Sequence, residues 1–348
     1  MGYLSFLDTI FGVRDLRSCS RSQVKLANLE IIRFNAALLV VAFHSISVLE
    51  GRGYNIGFLE DVYFVGQAGV DLFFVVSGFV IYLSLSNSPK NSWSFLKSRI
   101  RRILPSYWLI TLLTVGAWAI TRELHISTNL TPIKIDSLIQ SLSFTRGLVG
   151  NSKPIVIPGW TLELEMLFYV AVSISLLIKK QFFIIVFSLL ALLISIKFFG
   201  VSGRAIEFII GMLIAVCFLK WKVCKSISLG IVSIGLALLL LSMFGGISGV
   251  ASWKLWALSS SAIVFGTVQL PQTKSSIAMS LGAASYSVYL VQWFTIPATA
   301  AMFGLVSKSP FAISVYIFIC LVVTQTVGFA YYQWLEKPAL TWLKLHNF

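Results

Sequence analysis

Charged side chains are scarce in this chain. Its 348 residues include 13 Asp and Glu, and all charged residues together make up 11% of the sequence. Soluble domains carry about 25%. An ordinary soluble domain, a charged disordered chain and a coiled coil are therefore excluded. Histidine is scarcer still, with only His44, His125 and His346. A polyhistidine metal site does not fit, and no metal is expected. The four cysteines, Cys19, Cys217, Cys224 and Cys320, have neither disulfide nor zinc spacing. Three of them lie in or beside apolar stretches and read as small buried hydrophobes. No Walker A loop, Rossmann glycine fingerprint, HExxH or GxSxG is present, so those routes to nucleotide, zinc or serine-hydrolase chemistry are absent. No internal repeat or low-complexity linker is apparent.

Long apolar runs are what the chain does have. Hydrophobic residues make up 57% of it. A membrane-spanning helix needs about 20 mostly apolar residues. Ten segments qualify: 26–49, 62–86, 103–121, 159–179, 181–200, 204–221, 226–244, 253–270, 277–303 and 310–335. The expected fold is all-α, a polytopic integral membrane helix bundle of about ten transmembrane helices. Its long connections are an inner loop at 87–98 and an outer loop at 122–158.

The net charge of +14 would suggest nucleic acid in a soluble chain. In a membrane protein, Lys and Arg collect in cytoplasmic loops. With both ends inside, 17 of the 27 Lys and Arg fall in inner segments and nine in outer ones, with Arg33 inside the first span. The orientation N-in/C-in follows as the expectation, and no nucleic-acid partner is expected. Residues 3–17 place Leu4, Leu7, Ile10 and Phe11 near one helical face, without the continuous apolar core of a signal peptide. They read as an interfacial helix on membrane lipid. The expected organisation is a cytoplasmic N-terminal segment at 1–25, a transmembrane domain at 26–338 and a short cytoplasmic tail at 339–348.

Ionisable groups inside spans are costly and usually face a bundle interior or a watery cavity. The first span carries Glu30, Arg33 and His44. Arg33 and His44 are 11 residues apart, close to three helical turns, so they share nearly one face about 16 Å apart. Glu30 and Arg33 are spaced to pair. His44 reads either as a bundle histidine bonded to a neighbouring helix or as a functional base. Asp71 is an acid in an apolar run, where His44 or an arginine would suit as partner. Gly66, Gly69, Ser77 and Gly78 in the same span are small enough for close helix approach. Arg99, Arg101 and Arg102 read as topology signals that bind anionic lipid, or, with Arg33, as a cytoplasmic clamp for an anion such as phosphate. Glu163 and Glu165 point to different sides of their helix, one toward a cavity and the other toward the outer surface, and are not a paired acid and base. Arg204 and Glu207 read as a local pair. Tyr286, Tyr289 and Gln292 have helical spacing. Glu336 reads as structural.

Six of these segments in order resemble the bacterial membrane acyltransferase-3 family, of the stand-alone O-acyltransferase type. They are LEIIRFNAALLVVAFH (29–44), GVDLFFVVSGFVI (69–81), FLKSRIRRILPSYW (95–108), WTLELEMLFY (160–169), RAIEFIIGM (204–212) and SYSVYL (285–290). Arg33 and His44 match the family's Arg, ten residues, His pattern. Arg99 and Arg102 match its Arg-x-x-Arg, and Glu165, not Glu163, takes its Glu position. Glu30 replaces a usual Asp, and Gln292 stands where the family carries His.

The resemblance implies an O-acyltransferase of a bacterial inner membrane. The donor would be acyl-CoA, usually acetyl-CoA, with no permanently bound cofactor. The acceptor would be a hydroxyl of a surface or lipid-linked glycan, such as O-antigen, capsule or exopolysaccharide. Arg33, Arg99 and Arg102 would meet the donor's phosphates. His44 would act as general base or accept the acyl group itself, with Asp71 or Glu165 orienting it or binding sugar. Trp160, Tyr286 and Gln292 would contact substrate. Peptidoglycan or a secreted small molecule remains open as acceptor. A glycan transporter or flippase, and a scaffold in polysaccharide synthesis, are the readings from other classes. A transporter would also have midplane charges and a cavity, but no paired repeat or matching broken helices occur here.

Overall fold

A computed structural model describes residues 11–13, 26–88, 91–124, 132–149, 153–178, 180–244, 250–302 and 309–346. Its elements are almost all helices. In order they are α1 (Ala27–Gly51), α2 (Glu60–Gly66), α3 (Ala68–Asn87), α4 (Ser92–Glu123), α5 (Ile135–Leu142) and, after a single turn at Arg146–Val149, α6 (Gly159–Ser175). Then come α7 (Gln181–Phe199), α8 (Ile206–Lys220), α9 (Lys225–Phe244) and α10 (Val250–Gln269). The series ends with α11 (Ser276–Ala283), α12 (Ser285–Met302), α13 (Pro310–Tyr331), a π-helical turn at Tyr332–Glu336 and α14 (Lys337–Leu345).

Among the described residues, seven helical stretches are long and apolar enough to cross a membrane. The three other expected spans are also helical but fall outside that set. Helix α8 has only 15 residues. Helix α10 is diluted by Lys254 and by Ser259, Ser260 and Ser261. The segment 277–303 is divided at Ala284 into α11 and α12.

Two expectations are corrected at the ends of helices. The inner loop read at 87–98 is helical from Ser92 onward. Asn91 caps it by accepting a hydrogen bond from the Ser94 amide at 2.7 Å, which replaces one missing helical partner. Arg99, Arg101 and Arg102 thus lie inside α4 rather than before it. In the segment read as an interfacial helix at 3–17, Phe11–Val13 is strand β1 instead. It pairs antiparallel with β2 (Trp221–Val223), with Phe11 opposite Val223. A backbone ladder here overrides the weak apolar periodicity. The rest of that segment lies outside the described residues, as does Cys19. Of the other cysteines, Cys320 is buried as expected and Cys217 is half-buried, but Cys224 is exposed where β2 turns into α9.

The chain forms two compact units. The first comprises the chain through Lys90, Ile206–Ser285 and Thr299–Val322. Its core helix is α3, for 72% of the apolar stretch in Tyr63–Asn87 is buried, against 17% in Lys225–Met243. Small residues let α3 be surrounded. A Cβ on Gly78 would sit 1.9 Å from the Phe208 carbonyl oxygen of α8, and one on Gly211 of α8 would sit 2.1 Å from the Val75 carbonyl oxygen. The two helices touch backbone to backbone at a reciprocal glycine pair, the packing mode that small residues permit in membranes. On the other side, Gly69 faces the Ala36 carbonyl of α1 and Gly66 faces Phe43. Phe74 and Phe208 close the α3–α8 seam, with ring centroids 4.6 Å apart.

The second unit comprises Asn91–Ala205, Tyr286–Ala298 and Val323–Phe348. Polar bonds hold its helices together. Ser92 and Ser173 join α4 to α6 at 2.8 Å, and Trp293 of α12 donates to the Thr114 hydroxyl of α4 at 3.1 Å. Thr295 and Thr324 join α12 to α13 at 2.7 Å. In lipid such hydroxyls need protein partners, because no water is there to satisfy them.

Candidate functional site

In the first unit, α1 is continuous from Arg33 to His44, as the spacing requires. Arg33 pairs with Glu30 at 3.1 Å, the expected partner three residues away. His44 is half-buried. Its ring meets Phe43 edge to face at 4.9 Å, and Phe43 stacks on Tyr63 at 4.7 Å. This aromatic wall fixes one side of the imidazole. Asp71 is wholly buried in the first turn of α3, and Glu207 is buried in the first turn of α8.

The second unit gathers a cluster of charged and phenolic groups. The Arg99 guanidinium lies over the rings of Phe95 and Tyr169, 5.5 and 5.9 Å from their centroids. Cation–π contacts of this kind hold an arginine head without consuming its N–H donors on carboxylates. The Tyr169 hydroxyl donates to the Glu165 carboxylate one turn back on α6. The charges of Glu165, Arg99 and Arg102 all act on Tyr169. Tyr286 of α12 donates to the Ile103 carbonyl at 2.8 Å, the residue after Arg102. It also feels the charges of Glu336, Glu165 and Arg102. Arg99, Arg102, Glu165 and Tyr286, four residues singled out from sequence, therefore belong to one neighbourhood. Trp160 stands in the first turn of α6, half-buried. Gln292 is buried and donates to the Tyr289 carbonyl of its own helix at 2.8 Å.

The two glutamates of α6 diverge, as their spacing implied. Glu163 is buried and accepts from the Gly147 amide at 2.9 Å, so it holds the connection between α5 and α6. Phe144 in that connection adopts a φ of 58° and packs on Tyr107 at 4.8 Å. A left-handed phenylalanine is strained and persists only when its surroundings fix it. Glu163→Ala should free this segment. Expected are a loss of about 1–3 kcal/mol in stability, the cost of stranding a buried donor, and faster tryptic cleavage after Lys153. Unchanged melting and cleavage would show that Glu163 does not anchor it.

Tyr169 and Ser287 carry contacts here that no sequence motif singles out, and Glu336, read as structural, bonds Ser287. The Glu165/Tyr169 spacing of four residues was a readable sign of contact. Thr161, which no motif singles out, bonds through its hydroxyl to that of Tyr289 at 2.6 Å. Among the described residues, no three His, Cys, Asp or Glu side chains gather to hold a metal ion.

Residues 26–332 match the acyltransferase-3 family, described as an acyltransferase domain, and the chain belongs to that family. It is therefore a membrane protein of the transferase class. The chain is similar to the exopolysaccharide production protein ExoZ of Rhizobium meliloti (strain 1021). The two are 30% identical over 304 residues, which cover 79% of this chain and 90% of that protein. No solved structure matches.

Proposed function

We propose that this protein is an O-acyltransferase of the bacterial inner membrane, oriented N-in/C-in. It moves an acyl group, acetyl foremost, from cytoplasmic acyl-CoA to a hydroxyl of an exopolysaccharide or its lipid-linked precursor. The observation that carries the reading is the Arg99/Arg102 pair beside Glu165, Tyr169 and Tyr286. CoA is polyanionic, and an arginine pair of which Arg99 is braced on aromatic faces suits phosphate. Similarity to a protein named for exopolysaccharide production supports the acceptor class.

His44 takes the proton of the sugar hydroxyl as its oxygen attacks the thioester carbonyl. The new C–O bond forms, the C–S bond breaks, and the leaving thiolate takes up the proton. Arg33, already paired with Glu30, adds a cation on the helix that carries His44. Asp71 orients the base, Glu165 orders the arginine neighbourhood, and Trp160 and Gln292 contact the acceptor.

The test is transfer of labelled acetyl from acetyl-CoA to a glycan fraction by the purified protein in vesicles. Each hydrogen bond to a charged group contributes about 1.5–3 kcal/mol. Replacing both Arg99 and Arg102 by Gln should therefore raise the donor KM about tenfold or more. A donor KM left unchanged by that double replacement would overturn the donor site.

A further inference from the structure

Helix α13 does not continue into α14 with regular geometry. Residues Tyr332–Glu336 form a π-helical turn, and Glu336 at its end is buried. A π-turn accommodates one extra residue in a helix and re-aims the side chains after it, and such turns are frequent at functional sites. Glu336 is re-aimed onto Ser287 of α12, whose hydroxyl donates to its carboxylate. The residue before it on α12 is Tyr286, whose hydroxyl donates to the Ile103 carbonyl beside Arg102. The charges of Glu336, Glu165 and Arg102 all act on Tyr286. Every link lies in the second unit. Glu336 also lies four positions beyond the residues that match the family.

We infer that Glu336 is a positioning residue for the donor site, acting through Ser287 and Tyr286 on the turn of α4 that carries Arg102. The inference rests on the reading of Arg99 and Arg102 as donor contacts. The bond between Ser287 and Glu336 sets the rotation and height of α12. That setting fixes the Tyr286 hydroxyl on α4, and with it the direction in which Arg102 leaves the helix. Glu336 itself touches no substrate. Its loss should weaken donor binding and leave the chemical step largely intact.

The experiment is steady-state acyl transfer in vesicles with acetyl-CoA varied, for Ser287→Ala, Glu336→Ala, their double variant, Glu336→Gln and Arg102→Gln. Ser287→Ala and Glu336→Ala should each raise the donor KM about three- to tenfold, the range of one lost hydrogen bond. Both should change kcat less than twofold. The double variant should be no worse than the poorer single variant, because the two groups form one bond. Glu336→Gln keeps an oxygen that can accept from Ser287 and should rescue the donor KM. Ser287→Ala removes one atom and keeps the test alive if Glu336→Ala fails to fold. Additive effects, a fall in kcat with an unchanged KM, or failure of Gln to rescue would each overturn the inference. Arg102→Gln separates the two levels. If it raises the donor KM while Ser287→Ala does not, the donor site stands and the positioning role falls. If it leaves the donor KM unchanged, the donor site falls and the positioning role with it.

Discussion

His44→Ala is expected to lower acyl transfer about 10²–10⁴-fold, the usual contribution of a positioned general base, while leaving the donor KM within about threefold. The expectation follows from placement. His44 is the histidine of the first span, half-buried, with one face set against Phe43. The other described histidine, His346, stacks on Trp342 at the far end of the chain, at 4.5 Å. Loss of His44 removes an imidazole from the edge of an aromatic stack, so the fold should survive, and thermal melting in detergent checks this. Single-turnover labelling distinguishes the two chemical routes. A labelled protein adduct that vanishes in His44→Ala marks an acyl-imidazole intermediate, and a wild-type protein without label marks direct attack with His44 as base. Full transfer by the variant would remove His44 from the reaction.

The second large effect concerns the fold. Gly78→Ala and Gly211→Ala each place a methyl group about 2 Å from a backbone carbonyl oxygen. Overpacking absorbed by flexible side chains costs about 1–3 kcal/mol. Here the obstacle is backbone, so α3 and α8 must separate along the whole seam. Each variant should lose about 3 kcal/mol or more, the upper end of the overpacking range. The double variant should lose most of a marginal stability of about 5–15 kcal/mol and accumulate poorly. Gly116→Ala is the control, since a Cβ there meets nothing within 4 Å. It should be neutral or slightly stabilising, because alanine suits a helix interior better than glycine. Melting temperatures of the three variants in one detergent decide the matter. Equal melting of Gly211→Ala and Gly116→Ala would sink the claim of backbone contact.

The legible parts of this protein are those governed by local periodicity. The Glu30–Arg33 pair, the single face of α1 and the close approaches at Gly66, Gly69 and Gly78 all follow from helical spacing. So does the divergence of Glu163 and Glu165. What escaped reading is where geometry departs from 3.6 residues per turn or depends on a distant partner. Glu336 reads as structural from its place at the end of the last span, while its bond to Ser287 depends on a π-turn that no single residue type encodes. The start of α4 is hard to read because its first turns mix polar with apolar residues, and the Asn91 cap marks them. Strand β1 depends on β2, some 200 residues away in sequence, and no local pattern announces it. Residues of the arginine neighbourhood can be named one by one from motifs. Their assembly around Tyr169 and Tyr286 needed the packing of α4, α6 and α12.

Helix α4 is 32 residues long, or about 48 Å at 1.5 Å per residue. A hydrocarbon core is about 30 Å thick. The uncharged stretch from Ile103 to Ile120 alone is nearly enough to fill it. The rod therefore overhangs the bilayer, and the overhang is the part that carries Arg99 and Arg102. Its depth is set by how much of the apolar stretch the lipid covers. A helix longer than its membrane answers a change of thickness by tilting, at a cost of fractions of a kcal/mol per Å. On the proposed role of these arginines, the length of the lipid tails becomes a variable of donor capture, and the bilayer a ruler against which the arginines are held.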